Sequence, residues 1–241
     1  MLFTINMKKS LTGISVIALA MSFTCSRQKD KPIPPPDNAI VLFDGSNFSS
    51  WTDQNSNDVI WKIVDDAAEV VPLNREDFGE SWPDSLKKKG IQTKRNFQDF
   101  KMHVEFRVPP GKDDNSGVYI QRRYEIQIVD SWEGREHPNN CGAIYKQKQP
   151  DVNASRPPGE WQTYDIDFRA ARFAKVNGLM KKMENARVSV VHNGILIHDD
   201  VEIVNKTGVG DPEGPDPAPI LLQDHGSLTR FRNVWIVPGD H

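Results

Sequence analysis

From Ala39 onward the chain is broken into short apolar or alternating runs, each ending at a turn signal, with little sustained helical period between them. Ile40 to Phe43 stops at Asp44-Gly45, and Val59 to Val64 stops at Asp65-Asp66. Further strands are expected at Phe100 to Val108, Gly117 to Gln121, Tyr124 to Val129, Trp161 to Phe168, Arg187 to His192, Ile195 to His198, Ile220 to Gln223 and Phe231 to Val237. So many short strands need a partner layer for their apolar faces. That predicts an all-β jelly-roll sandwich of two antiparallel sheets. Two stretches interrupt the pattern. Asn74 to Lys89 is charged and reads as a loop with a helical turn, and Asn205 to Pro219, rich in glycine and proline, reads as a long loop of the kind that shapes a cleft.

The 241 residues show no break in composition, so a single domain from 39 to 241 is expected. With 37% hydrophobic residues there is enough apolar material for a core. The net charge of -3, with both signs interspersed, leaves no basic footprint for nucleic acid. Two cysteines, Cys25 and Cys141, cannot build a disulfide framework, so burial must hold the fold. Ahead of the domain, Lys8-Lys9 and the apolar Leu11 to Phe23 read as an export signal, too short to span a bilayer. Residues 1–25 are therefore assigned to export, with Cys25 as a lipidation site and membrane anchor. Ser22-Phe23-Thr24 is an imperfect lipobox, and cleavage after Ala18-Leu19-Ala20 is the alternative. Residues 26–38, with Pro32 and Pro34 to Pro36, form a stiff spacer. A periplasm-facing envelope protein is the expectation.

Chemistry concentrates in two places. In the strand from Tyr124, the two-residue period puts Glu125 and Gln127 on one face and Tyr124, Ile126 and Ile128 on the other. The preceding strand sets Tyr119 and Gln121 against Val118 and Ile120 in the same way. A face bearing Glu, Gln and Tyr suits a sugar, although a merely solvated sheet face would carry the same residues. The second place is Gln223-Asp224-His225-Gly226, polar groups packed at a strand end, with histidine an available acid or base.

The ordered series LFDGSNFSSW (Leu42 to Trp51), NSGVYIQ (Asn115 to Gln121), YEIQIVD (Tyr124 to Asp130), GAIY (Gly142 to Tyr145), GEWQTYDI (Gly159 to Ile166), ARVSVVHNG (Ala186 to Gly194) and LLQDHG through FRNVWI (Leu221 to Ile236) closely resembles the 3-keto-disaccharide hydrolase family. The resemblance implies a concanavalin A-like sandwich with a concave binding face, acting on glycosides whose glucosyl C3 is a ketone. Such a ring needs no pair of opposed carboxylates, because the ketone acidifies the C2 proton and permits elimination of the C1 substituent. On this reading Glu125 or His225 is base or acid, and Asp224 orients His225 or binds a cation. Tyr119, Gln121, Gln127, Gln223 and Arg232 would hold substrate or enolate, with Tyr145 and Lys146 as further acid or anion-stabilising groups. A separate sugar 3-dehydrogenase would make the ketone.

Other residues read blandly. His192-Asn193-Gly194 is a hairpin turn signal, His198-Asp199-Asp200 alternates faces, and Cys141 is structural. No cofactor or zinc spacing is present, and a structural calcium is the one metal left open. The alternatives are a non-catalytic carbohydrate-binding module and an ordinary glucan hydrolase using a loop carboxylate such as Glu133 or Asp151.

Overall fold

The computed structural model describes residues 31–72, 90–111, 114–134 and 139–239. The expectations for Cys25 and for the Asn74 to Lys89 loop fall outside these residues. In chain order the strands are β1 (Ile40–Phe43), β2 (Trp51–Asp53), β3 (Lys62–Val64), β4 (Ala67–Glu69) and β5 (Gly90–Thr93). They continue as β6 (Phe100–Arg107), β7 (Ser116–Ile120), β8 (Tyr124–Ile128), β9 (Gln162–Arg169) and β10 (Arg172–Val176). The last are β11 (Leu179–Glu184), β12 (Ala186–His192), β13 (Ile195–Ile203), β14 (Leu221–Gln223) and β15 (Arg230–Pro238).

They form the expected sandwich. The larger sheet runs β13-β12-β9-β6-β15-β4-β3 with β1 also paired to β15, and the smaller runs β2-β5-β14-β7-β8. Every pairing is antiparallel. The layers meet where β9 packs on β8: the Tyr124 and Phe168 rings lie 5.7 Å apart, and the Tyr164 hydroxyl donates to the Gln127 carbonyl at 2.7 Å. Strand β12 buries alternate residues, as one wet face requires. Strands β7 and β8 are buried throughout, because their outer face is covered as well. That second cover makes the site.

The expected strands are all present, with shifted ends; β13 runs on to Ile203, and the Val59 to Val64 run pairs only at Lys62–Val64. Five further strands lacked a readable pattern. Three-residue β2 and β4 and four-residue β5 are too short to show a period. Strands β10 and β11 form a separate hairpin with largely exposed faces. Their turn is Asn177-Gly178, both at positive φ, the pair favoured for a two-residue hairpin. Asn193-Gly194 makes the expected turn in the same way. His198 is buried and its Nε2 meets the Gly142 carbonyl at 2.8 Å, while Asp199 and Asp200 are exposed; no metal-binding cluster occurs among the described residues.

On the outer face of the larger sheet a buried charge network receives the proline-rich segment. Glu105 accepts from Arg232 Nε at 2.6 Å, from Asn233 Nδ2 at 2.8 Å and from the Ile33 backbone N–H at 3.0 Å. His103 lies 3.6 Å from Glu105 and stacks on Trp235. Burial raises the Glu105 carboxyl, but these partners outweigh it and hold the group down at about 2. Asn233 also donates to the Ile33 carbonyl at 2.7 Å, so the segment is stitched at both of its backbone groups. Truncating one partner of a buried pair leaves the other uncompensated. Glu105→Ala is expected to lower unfolding free energy by about 3 kcal/mol in urea titrations. The wild type's advantage should be full above pH 4.5 and fade as pH falls toward 2, because the folded carboxyl is the more acidic one.

Candidate active site

The outer face of β7, β8 and β14 forms the floor of a cleft of about 760 Å³. Its walls come from the segment carrying Tyr145 and Lys146, the loop from Gly208 to Asp211, and the Asp224-His225 end of β14. Glu125 stands on the floor, only 3% exposed. Its Oε2 accepts from the Tyr119 hydroxyl at 2.7 Å, directly across the β7–β8 pair. Gly117 is the neighbouring β7 residue on that face, and a Cβ there would lie 2.7 Å from Glu125 Oε1. Only glycine leaves the carboxyl its place.

The walls are bonded to the Glu125 strand. Thr207 Oγ1 accepts from the Glu125 backbone N–H at 2.7 Å, and the Tyr145 N–H donates to the Glu125 carbonyl at 3.0 Å. Further along, the Arg123 side chain reaches the Pro212 and Asp216 carbonyls, and the Tyr124 hydroxyl donates to Glu213 at 2.7 Å. The long loop is therefore an ordered wall. Lys146, at φ 59°, places its ammonium 5.2 Å from the Tyr145 ring centre. Burial pushes the Glu125 carboxyl up to about 7, against the opposing pull of the Tyr119 hydroxyl and the Lys146 ammonium. Burial and the neighbouring carboxylate also lift the Tyr119 phenol above its usual range, so it stays a donor. A carboxyl poised near neutrality can both take and give a proton.

The cleft brings together Tyr119, Glu125, Tyr145, Lys146, Gln223, Asp224 and His225 of the sequence-derived set. The half-buried Gln223 turns a buried amide oxygen toward no partner among the described residues. His225 is exposed, and Asp224 accepts from the Gly226 N–H at 2.8 Å, closing a turn. Gln127 lies on the Glu125 face but is buried beneath it, where it donates to Asn115 Oδ1 at 2.8 Å and so braces a cleft residue.

Three residues of that set do not line the cleft: Gln127, Gln121 and Arg232. Gln121 lies past the end of β7, at φ 52°, so the strand's alternation no longer applies; it is buried and donates to the Phe97 carbonyl at 2.9 Å. Arg232 belongs to the other sheet, paired with Glu105 and 4.0 Å from the Trp161 ring centre. Glu133 and Asp151 do not line the cleft either. Reading by strand missed Gln54, Asn115, Arg122, Val209 and Asp211. Asn115 and Arg122 flank the two most informative runs, which was the available signal.

A family model, the 3-keto-α-glucoside-1,2-lyase-like domain, matches residues 38–237. The chain belongs to this family. Its motifs thus span both sheets and every wall of the cleft. A candidate glycosyl hydrolase from Parabacteroides distasonis ATCC 8503 is 31% identical, with 95% of this chain and 100% of that one covered and a TM-score of 0.70. A second from the same organism, 20% identical over 87% of this chain and 100% of its own, shares the fold with a TM-score of 0.64. No curated protein matches. Family membership and the 31% identical neighbour make the protein a glycosyl-hydrolase-like enzyme.

The raised Glu125 carboxyl has a consequence for stability. The folded value lies above the ordinary 4.5, so its contribution is full below pH 4.5 and is lost as pH rises through about 7. Relative to wild type, Glu125→Gln is expected to gain roughly 3 kcal/mol between pH 4.5 and 8, read from paired denaturation curves. A difference independent of pH would contradict the desolvated carboxyl.

Proposed function

We propose that this enzyme cleaves glycosides whose glucosyl ring carries a C3 ketone, by abstracting the C2 proton and expelling the C1 substituent. The observation that carries the reading is a desolvated carboxyl on the cleft floor, poised near neutrality within electrostatic reach of the Lys146 ammonium, while the other carboxylates lining the cleft among the described residues are otherwise engaged. Asp211 is ion-paired with Arg122, and Asp224 closes a turn. Conventional glycoside hydrolysis needs two carboxyl groups flanking the bond. Elimination needs one base, an oxyanion partner and one acid.

In the proposed step, ionised Glu125 takes the C2 proton, and the electrons of that C–H bond pass into an enolate whose O3 charge faces Lys146. The enolate then re-forms the ketone as the C1–C2 double bond closes and the C1–O bond breaks. His225 protonates the departing oxygen. The products are an alcohol and an enone, and water adding across the enone would complete a net hydrolysis. The ketone must come from an oxidoreductase acting at C3. This reading supplies no step to a metal or cofactor.

Turnover of a 3-keto glucoside and of the same unoxidised glucoside, run in parallel, tests the substrate class. Cleavage confined to the keto sugar is expected. Glu125→Gln should lose roughly 10²–10⁴-fold in kcat/KM together with solvent deuterium exchange at C2, whereas His225→Ala should lose turnover and keep the exchange. Full activity in both variants would sink the assignment. We further propose that the enzyme is exported and held in the envelope through lipidated Cys25. Cys25→Ala should then shift from the membrane to the soluble fraction on cell fractionation.

A further inference from the structure

The hairpin between β7 and β8 turns through Gln121-Arg122, closed by an Arg123 N–H to Ile120 carbonyl bond of 3.0 Å. Both central residues have positive φ, 52° and 53°. Such a turn ordinarily takes Asn-Gly, and holding bulky side chains there costs on the order of 1 kcal/mol each. Strain of this kind persists where the side chains are used. Gln121 anchors the turn to the Phe97 carbonyl. Arg122 enters the cleft.

Its guanidinium is held by two other elements. Nη1 donates to Gln92 Oε1 at 2.7 Å, Nη2 to Asp211 Oδ1 at 3.3 Å, and Nε pairs with Asp211 Oδ2 at 3.1 Å. Asp211 is itself fixed, its N–H donating to the Arg122 carbonyl at 2.8 Å. A guanidinium has five N–H donors, so these contacts leave one on each terminal nitrogen. Asp211, with its side chain 51% exposed, keeps lone pairs for a ligand. The two charges neutralise one another, so the pair has no preference for an anion. It offers donors and acceptors side by side, which is what adjacent hydroxyl groups require.

Register places Gln92, which holds Arg122 Nη1, away from Glu125. Gln92 pairs with Leu221, Leu221 with Tyr119, and Tyr119 with Glu125, a row crossing four strands. At the usual spacing the Gln92 and Glu125 backbones lie about 14 Å apart. Between them, Leu221 and Tyr119 supply the cleft floor. A single pyranose ring engaged at Glu125 leaves this end of the row uncovered.

We propose that Arg122 and Asp211 form a hydroxyl clamp for the leaving group, selecting polyhydroxylated leaving groups over aromatic ones; the proposal rests on the cleft being a sugar site. The clamp reads hydroxyls and not the oxidation state of the reacting ring, so it is testable without turnover. Calorimetric titrations with trehalose and with nitrophenyl α-glucoside compare a hydroxylated with an aromatic substituent on the same ring. In wild type trehalose should bind more tightly. Arg122→Met and Asp211→Asn should each lower the trehalose-to-nitrophenyl affinity ratio at least tenfold. Arg122→Lys should fail to restore it, because an ammonium lacks the planar fork. Thermal melts identify any variant that has lost its fold, and the other then decides. An unchanged ratio in the folded variants, restoration by lysine, or no binding of trehalose to wild type would overturn the clamp. If the ratio responds as expected but no 3-keto glucoside is cleaved, the elimination chemistry fails and the clamp stands.

Discussion

A carboxyl group removed from water is the constraint around which this molecule is arranged. Ionised and unpaired, such a group would be expelled or neutralised. Here the Glu125 carboxyl keeps its place because the neighbouring strand has no side chain at Gly117, a phenol donates to it, and an ammonium lies within electrostatic reach. The cover that excludes water is bonded to the same strand through Thr207 and Tyr145. Burial, which opposes ionisation, is thus what tunes the group to neutrality. The covering segments and the chemistry cannot be separated.

The division of labour between the sheets follows. The larger sheet supplies one apolar face and a largely solvated back, covered at His103 and Glu105 by the segment at Ile33. The smaller sheet is covered on both sides, by core and by loops. Its second cover can be polar because the backbone groups of the loops are satisfied by residues 122–125. Gly208 shows how close the approach is: a Cβ there would meet the Tyr145 ring at 3.0 Å.

Legibility in the sequence tracked how local each determinant is. The faces of β8 were readable because five residues alternate cleanly, and parity separated Glu125 from Tyr124 and Ile126. The same argument carried to Gln121 failed because the chain had already entered a turn. That departure is set by backbone conformation and not by residue type, since Gln-Arg is no turn signal. Arg232 lies seven residues from His225 in sequence, yet a change of sheet separates them, a tertiary fact invisible in a linear pattern. The turn pair Asn177-Gly178 went unread because the strands beside it bury too little to alternate. Asp211 and Gln54 come from loops whose placement depends on long-range bonds, and no spacing rule would have gathered them.

The stitching of Ile33 to Glu105 and Asn233 has a mechanical meaning. Drag or tension on the chain ahead of Pro32 meets first the bonds to β6 and β15, neighbours within the larger sheet. Those bonds shield the β1 ladder behind them from the load. The cleft floor belongs to the other layer, so a pull from that side would be absorbed by the sheet opposite the one that positions Glu125.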